Sequence, residues 1–114
     1  MINWDQVKQL EEDIGAEDFG DIVVVFIEEV DEAVDALREI TSMGDDDMAT
    51  ALHFLKGSAA NLGFADFAAS CGAGEDLANK QQAAEVDLQS VVALYDASKS
   101  EFLTGAPVHT SYQP

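Results

Sequence analysis

The chain has 114 residues, a length that suits one domain and suffices to bury a core without metals or disulfides. Its 23 Asp and Glu against five Lys and Arg give a formal net charge of -18, a field that repels phosphate backbones and anionic lipid and so argues against nucleic acid and membrane surfaces as partners. A hydrophobic content of 47% excludes a disordered acidic tail, and a lone cysteine, Cys71, excludes a disulfide framework or a thiolate metal cluster.

The N-terminal stretch MINWDQVKQLEED lacks the basic start and apolar run of a signal peptide, and the longest apolar run, IVVVFI at 22–27, is too short to span a bilayer. The expectation is a soluble cytoplasmic protein. A first short helix starts at Asn3, where NWDQ resembles a capping box with Gln6, and ends near Gly15. A second starts near Glu17 or Asp18, with Phe19, Ile22, Phe26, Val30, Ala33, Leu37 and Ile40 at helical spacing. That periodicity outweighs the strand-like cluster Val23, Val24, Val25. Gly44 then suits a C-cap, and Asp45 or Asp46 the N-cap of a third helix that runs to Leu62 and stops at Gly63. The run of three Asp at 45–47 lacks the spacing of a calcium loop and fits dipole stabilisation better. A fourth helix covers roughly Ala65 to Gln81 and a fifth roughly Asp87 to Phe102, with Leu88, Val91, Tyr95, Ser98 and Phe102 as one stripe. Short connections between amphipathic helices predict an all-α, up-down four-helix bundle with a short additional N-terminal helix. Residues 1–104 form the domain, and 105–114, without periodicity, are expected to be a mobile C-terminal tail.

One residue of the third helix stands out. Met48, Leu52, Leu55, Ala59 and Leu62 make a core-facing seam, and at about 100° per residue His53 lies roughly 140° from its centre. It therefore points to solvent or a shallow groove. Its neighbours one turn away are Ala49, Lys56 and Gly57, with Ala60 two turns on. No carboxylate or second histidine sits at the offsets a zinc site needs. Gly57 costs about 0.8–1 kcal/mol in a helix interior relative to Ala, which suggests that something approaches closely there. A histidine ringed by small side chains and one cation fits a residue that is itself phosphorylated: the ring is open to a bulky donor, and Lys56 offsets part of the arriving charge.

The stretch ALHFLKGSAANLGF resembles the motif of histidine phosphotransfer (HPt) domains: histidine, two residues, Lys-Gly, small residues and a closing Gly. The resemblance extends over most of the chain. It implies a phosphorelay intermediate of two-component signalling, which takes a phosphoryl group on histidine from one receiver-domain aspartate and passes it to another. By that carry-over His53 is the phosphoacceptor, with Lys56 and Gly57 as its motif neighbours. FAASCGAGEDL is similar to the family's Cys-x-x-Leu-Glu region and nominates Glu75 as the partner of the other ring nitrogen. This chain departs from the pattern with Gly74 where Leu is common and Gly72 nearby, two glycines that weaken the fourth helix locally. The implied partners are receiver domains of response regulators, including the receiver of a hybrid histidine kinase, engaged by a monomer. No cofactor is implied for the chain itself; Mg2+ belongs to the receiver. Ala49, Phe54, Ala60 and Phe64 are the candidate docking residues.

Plainer readings compete. His53 could be an ordinary surface histidine, and His109 an incidental residue of the tail. Cys71 reads as a small buried hydrophobe, and Trp4 and Tyr95 as packing residues. The alternative in function is a helical-bundle adaptor that docks receivers without being phosphorylated. A histidine kinase's dimerisation domain is a weaker rival, since the chain has no glycine-rich ATP lid. The expectation is a stoichiometric phosphocarrier and not an enzyme with its own ATP site.

Overall fold

The structure is a computed structural model that describes residues 2–39 and 43–109, the last five of them by backbone alone. Five α-helices follow one another: α1 (Trp4–Ile14), α2 (Ala16–Arg38), α3 (Asp45–Leu62), α4 (Ala65–Asn79) and α5 (Leu88–His109), with a 3-10 turn (Ala83–Glu85) before the last. Helix α2 neighbours α3, α3 neighbours α4, α4 neighbours α5, and α5 returns to α2, which closes the four-helix bundle. Helix α1 packs on α2 and α3 as the additional element. No helix among the described residues is long and apolar enough to cross a membrane.

Local chemistry explains most boundaries. Asn3 caps α1 by accepting a hydrogen bond from the Gln6 backbone N–H at 3.2 Å. The expected reciprocal bond is absent, because the Asn3 N–H donates to the Gly63 carbonyl; the Gln6 side-chain amide donates to the Asn61 carbonyl. Gly15, at φ 100, ends α1 and starts α2. Gly44 is the N-cap of α3 and not the C-cap of α2, a role taken by Glu39. The acidic run Asp45, Asp46 and Asp47 thus falls in the first turn of α3, where the helix dipole favours negative charge. Helix α4 ends at Asn79, slightly short of the expected Gln81, and the backbone of α5 continues past Phe102 to His109. The rest of the expected tail, 110–114, lies outside the described residues, as does Ile40 of the expected α2 stripe.

The core takes one stripe from each helix: Val7 from α1, Phe19, Val23, Val30 and Val34 from α2, the complete expected seam from α3, Phe67 and Cys71 from α4, and Tyr95 and Phe102 from α5. Each large side chain removed from water contributes about 1.5–3 kcal/mol. On α2 the buried line is turned by about one residue from the expected one. Val23, Ile27 and Val34 face inward, Phe26 and Ala33 pack at its edge, and Val24 and Val25 are exposed. Cys71 is buried, and burial pushes its thiol up to about 12, so it behaves as a hydrophobe.

Phe64 requires a correction. Expected on the docking surface, it is fully buried. It follows the α3 stop at Gly63, and α1 and α5 close over it: its ring lies 6.1 Å from that of Tyr95 and 5.4 Å from that of Phe102, while Phe102 stacks on Trp4. Its backbone also pairs with Ile2 in an isolated bridge. Phe64 is therefore a packing residue at the α1 end of the bundle.

Gly63 holds that junction. It has φ 80, its carbonyl accepts from the Asn3 N–H at 2.6 Å, and a Cβ there would lie 2.6 Å from the Asn3 carbonyl oxygen and 2.8 Å from Val7 Cγ2. Gly63→Ala meets both the left-handed backbone penalty and a backbone clash, so a loss of more than about 1 kcal/mol is expected. A lowered urea midpoint checks this; an unchanged midpoint would mean that the α1 junction contributes little.

Candidate functional site

The site is built where the middle of α3 faces the middle of α4. These two helices share the most extensive contact in the bundle. They are joined by the short Gly63–Phe64 connection at one end. At the other, Asp45 Oδ1 accepts from the Ala83 backbone N–H at 2.9 Å, tying the start of α3 to the 3-10 turn after α4. With both ends fixed, the mid-helix geometry is set by side-chain packing between them.

On α3, Leu52 and Leu55 point into the core while His53 stands outside, its side chain 71% exposed. The helical period places it there, as the sequence reading expects. Glu75 comes from α4 and is only 14% exposed. Its Oε2 lies 2.9 Å from His53 Nδ1, and its Oε1 lies 2.9 Å from the Lys56 ammonium. Oε1 is withdrawn from solvent and pairs with the Lys56 ammonium. One carboxylate thus links two α3 residues a turn apart.

The charges act on one another in a consistent direction. Lys56, and after it His53, hold the Glu75 carboxyl below the usual carboxylate range, against the opposing effect of burial. Glu75 in turn raises the Lys56 ammonium above its ordinary value. An ionised carboxylate can only accept hydrogen bonds, so the hydrogen between Glu75 and His53 sits on Nδ1. In the neutral ring this leaves Nε2 with its lone pair free, on the side turned away from Glu75. The contact with Glu75 thus favours one tautomer of an exposed ring.

The other expected residues distribute unevenly. Gly57 is exposed, and a Cβ there would meet nothing within 4 Å, so the space over the helix one turn from His53 is open. Phe54 is 45% exposed, one of three exposed large hydrophobic side chains among the described residues. Ala60 is exposed, and Ala49 is half-buried at the core's edge. Between Asp47 and Asp66 the sequence holds no carboxylate at all, in a chain where acids outnumber bases by 23 to five. The stretch of α3 that carries His53 thus adds no negative charge to a strongly acidic molecule. Among the described residues no group of three or more His, Cys, Asp or Glu side chains converges to hold a metal ion.

Sequence reasoning undervalued the glycines of α4. Gly72 and Gly74 read as local weaknesses, yet both face α3. A Cβ on Gly72 would lie 3.2 Å from Lys56 Cδ, and one on Gly74 would lie 2.6 Å from Leu52 Cδ1. The available signal was the one already applied to Gly57: glycine inside a helix implies close approach.

The depressed Glu75 carboxyl has a measurable consequence. A carboxyl whose folded pKa is lowered adds stability that is fully present above its unfolded value, about 4.3, and is lost as pH falls through the lower folded value. Wild type is therefore expected to exceed Glu75→Gln in stability near neutral pH, with the two converging in acid below that unfolded value. Urea titrations over a pH series check this. A difference that persists unchanged into strong acid would mean that the charge of Glu75 is not what stabilises the contact.

A family model described as Hpt domain matches residues 21–101, the span from the second helix into the fifth. No curated protein and no solved structure matches the chain. Hpt domains serve histidine phosphotransfer in two-component phosphorelays, as phosphocarriers without an ATP site of their own, and interact with receiver domains of response regulators or hybrid kinases. Helical through most of its described residues, closed as a bundle and matched over most of its length, the chain belongs to the Hpt domain family.

Proposed function

We propose that the protein is a phosphorelay intermediate in which His53 accepts a phosphoryl group from a receiver-domain aspartate and passes it to another receiver. The observation that carries this reading is the hydrogen bond between His53 Nδ1 and Glu75 on an otherwise exposed imidazole. It leaves Nε2 as the nucleophilic atom. In the forward step the Nε2 lone pair attacks phosphorus in the receiver's aspartyl phosphate. An N–P bond forms, the bond from phosphorus to the aspartyl oxygen breaks, and the carboxylate leaves with the electron pair. The second transfer runs the same exchange in reverse on another receiver. Glu75 stabilises the positive charge that develops on the ring as Nε2 bonds to phosphorus. Mg2+ in this scheme belongs to the receiver.

Lys56 has two functions in this reading. It holds Glu75 ionised and oriented, and it keeps a positive charge one turn from the transferred group. Ala49, Phe54, Gly57 and Ala60 form the docking surface. Small residues let a receiver's aspartyl phosphate approach within reach of Nε2, and Phe54 supplies apolar area for the contact. The lack of acids between Asp47 and Asp66 supports the same assignment. A receiver presenting a phosphorylated carboxylate would be repelled by the rest of this surface.

Two variants test the reading. His53→Gln removes the nucleophile at an exposed position, where stability should stay within about 0.5 kcal/mol of wild type. Incubated with a receiver carrying labelled phosphate, it is expected to take up no label. Acid-labile label on this variant would move the site to His109 and sink the assignment, and an unlabelled wild type that still binds the receiver would favour the adaptor. Gly57→Leu places a branched side chain in the open space over α3. It should keep or raise helix stability, by up to about 1 kcal/mol, while transfer falls by on the order of tenfold or more. Normal transfer with an intact thermal melt would remove Gly57 from the docking surface.

A further inference from the structure

We propose that Gly74 is a positioning residue for phosphotransfer: its missing side chain sets how deeply α4 seats against α3, and so holds Glu75 against Nδ1 of His53. The inference rests on the reading of His53 as phosphoacceptor and adds the residue that fixes its geometry. On α3, Leu52 immediately precedes His53; on α4, Gly74 immediately precedes Glu75. The packing contact and the hydrogen bond therefore lie side by side on the same two helices. A change in the first is transmitted to the second with almost no backbone between them.

The space over Gly74 is already filled. A Cβ there would lie 2.6 Å from Leu52 Cδ1 and 3.3 Å from Val86 Cγ1. Leu52 is fully buried, so its tip can withdraw only by repacking the core around it. The alternative is for α4 to move outward. The His53–Glu75 distance is 2.9 Å, and a displacement of about 1 Å takes it beyond hydrogen-bond range. Gly72 serves the neighbouring contact, since the Lys56 stem passes over it on the way to Glu75 Oε1. Two glycines in the interior of a helix work against helix formation on their own account. Their position under Leu52 and Lys56 gives the reason this helix carries them.

The experiment uses the full chain carrying Gly74→Ala, and beside it the double variant Leu52→Val with Gly74→Ala, in which the crowding Cδ1 methyl is absent. The first readout needs no receiver. Imidazole nitrogen shifts of His53 at neutral pH report which ring nitrogen carries hydrogen. Wild type should show the Nδ1–H tautomer, Gly74→Ala a shift toward Nε2–H, and the double variant a return to Nδ1–H. The second readout is transfer from a phosphorylated receiver, expected to fall by on the order of tenfold in Gly74→Ala and to recover in the double variant. A merely structural role for Gly74 would lower stability without moving the tautomer. An unchanged tautomer and transfer rate in Gly74→Ala would overturn the proposal. Should Gly74→Ala not fold, the double variant decides: a folded double variant lacking the Nδ1–H tautomer overturns the proposal, and so does a double variant that fails to fold where Leu52→Val alone folds, since removing the crowding methyl should then have restored the seat. A wild type with the Nδ1–H tautomer that never accepts phosphate would sink the carrier reading while leaving the effect of Gly74 on the tautomer intact.

Discussion

The chemistry at His53 depends on how closely α4 lies against α3. His53 must be outside to meet a partner, and an exposed imidazole is ordinarily free to rotate and to exchange tautomers. Only a fixed acceptor from a second helix can orient it, and that acceptor must be charged, part-buried and within hydrogen-bond reach at once. Glu75 meets those conditions because the α3–α4 pair is tied at both ends and lacks side chains at Gly72 and Gly74 in between. In this chain Leu52 and Lys56 occupy the space that side chains at those two positions would need.

The scarcity of positive charge sharpens this picture. Five basic residues serve a chain of net charge -18, and Arg38, Lys56 and Lys99 each bridge two helices. Arg38 forks onto Asp96 across α2 and α5, which holds the Asp96 carboxyl below its usual range, and also meets Asp35. Asp31 on α2 accepts from the buried Tyr95 hydroxyl and from Lys99 on α5. Burial first, and this hydrogen bond second, raise the Tyr95 hydroxyl above its ordinary value. Exposed pairs of this kind are worth little singly, about 0–1 kcal/mol, and more where geometry is bidentate. Their placement is the informative part. Two cations fasten the α2–α5 seam on the side of the bundle away from the site, and the third fastens Glu75.

Features governed by helical period were legible in the sequence. The α3 seam and the outward direction of His53 follow from a repeat of 3.6 residues and needed no partner helix. Glu75 was legible only through resemblance, because nothing local says which α4 residue reaches an α3 side chain. Phe64 was misread because its burial is made by α1 and α5, elements distant in sequence that close over the α3–α4 connection. Gly74 was misread because propensity counts what glycine costs its own helix, whereas its effect lies in the neighbouring one. The one-residue turn of the α2 face has a similar origin. A helix containing Ile22, Val23, Val24, Val25, Phe26 and Ile27 in succession is apolar nearly all round, and its neighbours decide which of them face inward.

The central claim concerns a single atom, and the most direct measurement identifies it. The protein would be phosphorylated by a receiver and the ring nitrogen bonded to phosphorus assigned by phosphorus–nitrogen and proton–nitrogen NMR correlations under non-acidic conditions. The account predicts phosphate on Nε2 of His53, with the hydrogen on Nδ1 still bonded to Glu75. Phosphate on Nδ1, or on any other residue, would contradict it, because Nδ1 is the nitrogen the structure turns inward to the carboxylate.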